Sequence, residues 1–167
     1  RRLLETKHRK SDNAFLAEGP QAVREAVAFG DVRELFITEE SVERYTDIVD
    51  AATKRGIEIK VTSEEVIASL SSTVTPQGML AVVGIQEFAL DNIITSDTKL
   101  AVALAYVRDP GNAGSVIRVA DAAGARGVIT STDSVDVHNP KVVRSSVGSL
   151  FHLPVVQEVD VFDIINK

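Results

Sequence analysis

RDPGNAGSVIRVADAAGA, residues 108–125, follows a run of almost unbroken apolar residues, LAVALAYV, at 100–107. The apolar run reads as a strand buried on both faces. The stretch after it reads as a turn and then a helix, with Val116, Val119, Ala120 and Ala123 at i, i+3, i+4 and i+7. A strand that passes into a helix across such a corner is the building unit of parallel α/β sheets, and ligands collect at that junction. Asn112 is expected to be the helix N-cap, its side-chain oxygen accepting an N–H from Gly114 or Ser115. Gly111 and Gly114 carry no side chains to keep a ligand off the backbone, and the helix dipole favours an anion there. Arg118 lies off the apolar stripe and is expected to reach the same space. A purely structural account of the corner has an Asn cap, two turn glycines and an Arg118–Asp121 ion pair at i, i+3.

The alternation continues on both sides. Downstream, GVIT (127–130) is a strand, NPKVVRSSVGSL (139–150) a helix, LPVVQE (153–158) a strand, and DVFDIINK (160–167) the beginning of another helix. Upstream, AFLAEG (14–19), VRELFIT (32–38), IEIKVT (57–62) and MLAVVGI (79–85) read as strands. PQAVREAVAFG (20–30) and EESVERYTDIVDAATKRG (39–56) read as helices between them. Pro20 suits a first turn, and Gly30 and Gly56 suit C-terminal stops. Ser63 opens a short helix, and SSTVTPQG (71–78) is a polar loop. QEFALDNIITSDTK (86–99) has only a weak apolar period and reads as a linker. The expectation is an α/β protein of two domains, residues 1–86 and 100–167, joined by a linker at 87–99. Three strands with fewer than three full helices make the second domain look unfinished.

The chain has 167 residues, 44% hydrophobic and 25% charged, as a soluble globular protein has. A net charge of -6 argues against a general polyanion binder. Arg1, Arg2, Lys7, Arg9 and Lys10 nevertheless crowd the first ten residues, opposed by Glu5 alone, and such a patch can hold phosphates; the plainer reading is a solvated helix. The absence of cysteine excludes disulfides and thiolate catalysis and fits a cytoplasmic protein. No apolar run approaches the roughly 20 residues of a membrane helix, and no apolar core follows the basic N-terminus as in a signal peptide. A P-loop lysine and a G-x-G-x-x-G spacing are both missing from the corner. Ser145, His152 and Asp160 lack the elbow of a hydrolase triad, and His8, His138 and His152 show no metal-ligand spacing.

These residues carry a resemblance. RDPGNAGSVIRVADAAGA resembles the first signature motif of the SpoU (TrmH-like) RNA ribose methyltransferases, N-x-G-x-x-x-R-x-A, met here by Asn112, Gly114, Arg118 and Ala120. NPKVVRSSVGSLFHLPVV is similar to the family's next stretch, through Arg144, Ser145, Gly148, Leu153 and Pro154. KHRKSDNAFLAEG, EAV and TPQGMLAVV resemble the family's substrate-binding domain, which is related to a ribosomal-protein RNA-binding fold. The resemblance implies a ribosomal-protein-like α/β domain followed by an incomplete SPOUT domain, a Rossmann-like parallel sheet tied in a trefoil knot.

It also implies methyl transfer from S-adenosylmethionine to a ribose 2′-hydroxyl in structured RNA, ribosomal RNA first and transfer RNA second. By the same resemblance Arg118 is the catalytic residue and Asn112 shapes the pocket. Lys7, Arg9, Gln77 and Arg144 are then the RNA contacts. Arginine is a poor base, since its pKa exceeds 12; its fork of donors suits orienting a phosphate and hydroxyl and stabilising developing charge. The family's glycine-glutamate motif and its final Ser-Leu-Asn motif do not occur before Lys167. The cofactor-binding residues are therefore expected beyond this chain, as is the segment that makes a homodimer, and the chain alone is expected to be inactive. The alternative is a non-catalytic RNA-binding protein using the first domain.

Overall fold

In the computed structural model, which describes residues 1–166, the first element is a single 3-10 turn at Arg2–Leu4. Helix α1 (Thr6–Asp12) follows and ends at Asn13, whose φ of 47° is one of the left-handed conformations that asparagine tolerates. The chain then enters β1 (Ala14–Glu18), buried at all five positions. Next come α2 (Pro20–Phe29), β2 (Asp31–Thr38), α3 (Glu39–Arg44), α4 (Thr46–Lys54), β3 (Glu58–Thr62), α5 (Glu64–Leu70) and β4 (Met79–Gly84). The sheet has the order β1-β4-β2-β3, with β2 and β3 parallel and the other pairs antiparallel. The helix expected over 39–56 is two helices. Thr38 caps the first by accepting the Ser41 N–H at 3.3 Å, and Tyr45, at φ -121° and ψ 51°, breaks the run.

Alternation along the strands divides the apolar residues between two layers. Leu3, Ala14, Leu16, Ile67 and Leu80 form one cluster, so the N-terminal turn and α5 cover the same face. Val23, Ala26 and Val27 of α2 and Ile48 and Ala52 of α4 are buried on the other helical layer. Each fully buried Val, Leu or Ile contributes about 1.5–3 kcal/mol relative to exposure.

A second compact unit begins at Gln86. It comprises α6 (Leu90–Ile93), β5 (Val102–Leu104), α7 (Pro110–Ala122), β6 (Val128–Ser131), α8 (Pro140–Ser145), a 3-10 turn (Ser149–Phe151), β7 (Val155–Val159) and α9 (Val161–Ile165). Its sheet is parallel throughout, in the order β5-β6-β7, and all four residues of the central β6 are buried. Three expectations change here. Only Val102–Leu104 of the long apolar run pairs as a strand, and because β5 is an edge of the three strands its Ala103 is exposed. The stretch expected as a linker joins a core, with Ile93 fully buried against Ile129 and Val156 and with Phe88, Leu90 and Ile94 packed alongside. Gly127 makes room for it, since a Cβ there would stand 2.7 Å from the Ile93 side chain.

The third change concerns α7, whose buried residues are Ala113, Gly114, Ile117 and Ala120. Val119 is 64% exposed and Ala123 is exposed too, so the helix is rotated from the face that its valines suggested. No described helix is long and apolar enough to cross a membrane.

Candidate active site

The corner between β5 and α7 is built differently from its sequence expectation. Asp109 is the N-cap, its Oδ1 accepting the Asn112 N–H at 2.7 Å, and Pro110 occupies the first turn. An acidic cap followed by proline satisfies a free N–H and presets the helical φ at once, which outranks Asn112 as a start signal. Asn112 is therefore an exposed residue inside the first turn of α7.

Gly114 serves packing. A Cβ there would strike Ser145 Oγ and stand 2.6 Å from Val142 O and 2.8 Å from Ser146 N, so its absence lets α8 lie against α7. Ser145 Oγ locks the two together from 3.1 Å of Pro110 O and 2.8 Å of Lys141 O. The backbone that Gly114 was expected to open to a ligand is covered by α8.

Arg118 lies two turns into α7 on its solvent side, with Asn112, Ser115, Val119 and Ala122 also exposed on that helix. It makes no hydrogen bond or ion pair with any described residue. The carboxylate three residues on is occupied: Asp121 Oδ2 lies 2.7 Å from His152 Nδ1. His152 and Ser145 thus have separate partners and make no triad. Arg144, in the last turn of α8, is half-buried and engaged within the protein. Two cations escaped the sequence reading. Arg108 is exposed just before the cap, and Lys141 is exposed with its Cε 3.9 Å from where a Gly111 Cβ would stand.

The loops at the carboxyl ends of β5 and β6 are stitched together. Tyr106 N–H donates to Ser131 Oγ at 2.8 Å, and Val135 N–H donates to Val107 O at 2.7 Å. Tyr106 (φ 53°), Asp133 (φ 61°) and Val147 (φ 54°) all hold left-handed backbone without being glycine. Each such residue costs on the order of 1–3 kcal/mol, and such residues gather at functional sites.

In the first unit, Lys7 is exposed on α1. Arg9 is only 1% exposed and is a structural residue. Its guanidinium donates to Leu3 O at 3.0 Å, Leu4 O at 2.8 Å and Thr6 Oγ1 at 2.7 Å, holding the N-terminal turn, so an RNA contact there is not available in this fold. Gln77 is exposed at the end of the 71–78 loop, with Oε1 2.7 Å from where a Gly19 Cβ would lie. Glu18, missed in the sequence, anchors that loop by accepting from Ser71 Oγ at 2.6 Å and Ser72 N–H at 3.1 Å. A carboxylate ending a strand gives no sequence signal of this role.

Comparison with known proteins places both units. Residues 1–81 match the MRM3-like substrate binding domain, and residues 99–167 match the SpoU rRNA Methylase family. A Bacillus subtilis 23S rRNA (guanosine(2553)-2'-O)-methyltransferase is 34% identical over 94% of this chain and 59% of its own length. A 23S rRNA (uridine(2479)-2'-O)-methyltransferase of Streptomyces viridochromogenes is 46% identical over 49% of this chain and 29% of its own. An AdoMet-bound rRNA methyltransferase from Sinorhizobium meliloti superposes with a TM-score of 0.82 at 30% identity, over 98% of this chain and 61% of that one. The chain thus spans about three fifths of the relatives that it matches from end to end. With an MRM3-like substrate binding domain over residues 1–81 ahead of the motif centred on Asn112, Gly114 and Arg118, residues 99–167 of this chain are a SpoU rRNA methylase domain.

Proposed function

We propose that this chain forms the RNA-holding and hydroxyl-activating part of an S-adenosylmethionine-dependent enzyme that methylates a ribose 2′-hydroxyl in ribosomal RNA. The observation that carries the reading is Arg118: a cation at the family's motif position, exposed, and without a partner among the described residues although Asp121 is three residues away. An unpartnered guanidinium can receive a phosphate and a hydroxyl through its fixed fork of donors.

S-adenosylmethionine supplies an electrophilic methyl carbon. No buried polar side chain among the described residues is left without a partner to mark a cradle for it, and none is assigned to hold it. Arg118 orients the target ribose and its neighbouring phosphate and stabilises negative charge as the 2′-oxygen attacks. The 2′-oxygen would form its bond to the methyl carbon as that carbon's bond to sulfur breaks, leaving S-adenosylhomocysteine, and the hydroxyl proton would pass to water. Asn112, on the same exposed side of α7, shapes the pocket, and Arg144 supports the cationic surroundings from α8. Lys7 and Gln77 hold folded RNA in the first unit by its shape, since the deep groove of A-form RNA is poorly read by side chains. At full length we place the enzyme in the cytoplasm as a homodimer, with transfer RNA as the second substrate class.

Arg118→Ala in the full-length enzyme tests this. Methyl transfer to a large-subunit ribosomal RNA transcript is expected to fall about 100- to 1000-fold, the range for losing one charge-stabilising donor. RNA affinity should change less than about threefold. A loss of activity under about tenfold would reject Arg118 as the catalytic residue, and a full-length protein that binds RNA but transfers no methyl group would favour the RNA-binder alternative.

A further inference from the structure

Tyr106 has no structural reason to be tyrosine. Its φ of 53° favours glycine or asparagine, and its side chain is 56% exposed. Among the described residues no ring or cation stacks on it, and its hydroxyl has no partner. An aromatic residue in a conformation that L side chains avoid, gaining nothing from packing, points to a role in binding.

Its surroundings define that role. Tyr106 lies just past β5, at the carboxyl end of a parallel sheet, where α/β proteins place their ligands. The ring is carried on a fixed backbone, because its N–H is held by Ser131 Oγ at 2.8 Å, and Ser131 is itself only 1% exposed. The next residue is tied in turn by the hydrogen bond from Val135 N–H to Val107 O at 2.7 Å. Arg108 follows two residues later, and Lys141 stands over the first turn of α7; both are exposed. An exposed aromatic ring on a held backbone, with an exposed arginine two residues on, is the combination that holds single-stranded nucleic acid, the ring taking a base and the cation a phosphate.

We infer that Tyr106 is a base-stacking residue, its ring packing against an unpaired nucleobase of the RNA at the carboxyl edge of the second sheet. The inference rests on the ribose-methyltransferase reading for the identity of the ligand. It adds a contact to the base side of the nucleotide, whereas Arg118 addresses the sugar and phosphate.

The chain has two tyrosines and no tryptophan, so Tyr45→Phe leaves Tyr106 as the only emitter. A single-stranded RNA of about twelve nucleotides should quench that emission as it binds. Tyr106→Phe and Tyr106→Trp should bind a ribosomal RNA transcript about as tightly as the parent. Tyr106→Gly should bind about fivefold to a hundredfold more weakly, the range for losing one stacked base, while melting at the same temperature or higher because glycine suits the backbone. The stability reading matters, since a weaker but equally folded variant separates the ring from the fold. Unchanged RNA affinity in Tyr106→Gly overturns the stacking role. So does quenching by S-adenosylmethionine without quenching by RNA, which would put the cofactor's adenine on the ring. If the parent chain binds no RNA, the methyltransferase reading falls with it; parent binding with an unaffected Tyr106→Gly removes only this inference.

Discussion

Arg9 and Arg118 belong to the same residue type and to opposite designs. In the first unit, several polar side chains are consumed by the fold. Arg9 holds the carbonyls of Leu3 and Leu4, Glu18 holds the 71–78 loop, Arg33 donates to Asp12 O and Asn13 O, and Arg55 donates to Val27 O and Gly30 O. In the second unit, Arg118, Asn112 and Tyr106 face solvent around the β5–α7 corner, and Arg118 has no hydrogen-bond or ion-pair partner among the described residues. The lesson is that a charged residue's neighbourhood in sequence says little about its function. What matters is whether the fold has already used its donors.

The largest effect should come from exchanging these two arginines for a side chain of similar length. Arg9→Met strands buried carbonyl acceptors and should destabilise the first unit by about 2–4 kcal/mol in urea unfolding. Arg118→Met should stay within about 0.5 kcal/mol, as surface substitutions do. Equal stabilities for the two variants would break the contrast.

Two glycines sharpen it further. Gly114→Ala places a methyl against the backbone of α8, 2.6 Å from Val142 O, and should destabilise the second unit by about 2 kcal/mol despite alanine's better helix propensity. Gly111→Ala meets nothing nearer than Asp109 Oδ1 at 3.1 Å and should lie within about 0.5 kcal/mol of the parent. If the two variants melted together, the close α7–α8 approach could not be the reason for Gly114. A third comparison lies in the first unit, where Glu18→Gln keeps the size but removes the charge on the acceptor to which Ser71 and Ser72 donate. About 1–1.5 kcal/mol should be lost, with faster proteolytic cleavage in residues 71–78. An unchanged cleavage rate would mean that the loop is held by something else.

Much of this was legible beforehand because strand and helix periods are local. All four strands of the first sheet and, from β5 onward, the order of elements in the second follow from alternation and turn residues. The errors have physical causes. Val116, Val119 and Ala123 form as good a stripe as Ala113, Ile117 and Ala120, and only the small Gly114 marks the face where another helix must come close. Asn112 is a good cap in isolation, but Pro110 fixes the helix start one residue after Asp109. Nothing local announces the break at Tyr45, which has neither glycine nor proline beside it. The burial of Arg9 was invisible because charged residues are rarely interior, and a basic cluster reads as a solvated face. Tyr106 gave no signal at all, since positive φ at an aromatic residue is a product of tertiary contacts such as the one to Ser131.

The smallest effect concerns an ion pair that the first unit does make. Arg24 Nε donates to Asp47 Oδ2 at 2.8 Å, and this hydrogen bond holds the Asp47 carboxyl below its ordinary value. A carboxyl whose pKa is lower folded than unfolded contributes stability above the unfolded value, about 3.9 for aspartate, and loses that contribution as pH falls through the folded value. Asp47 is 58% exposed on its side chain, so the contribution at neutral pH is at most about 0.5 kcal/mol. Asp47→Asn should therefore melt slightly below the parent at pH 7, and the gap should close as pH falls below the ordinary aspartate value of about 3.9. A gap that persists in acid would show that Asp47 acts through helix α4 rather than through Arg24. Arg118 has an equal opportunity on its own helix, with Asp121 three residues away, and that carboxylate is drawn to His152 instead. An exposed pair of this kind adds so little that stability cannot be what decides between the two arrangements. The arginine left open is the one at the family's motif position, and its freedom follows from where its competitor carboxylate is held.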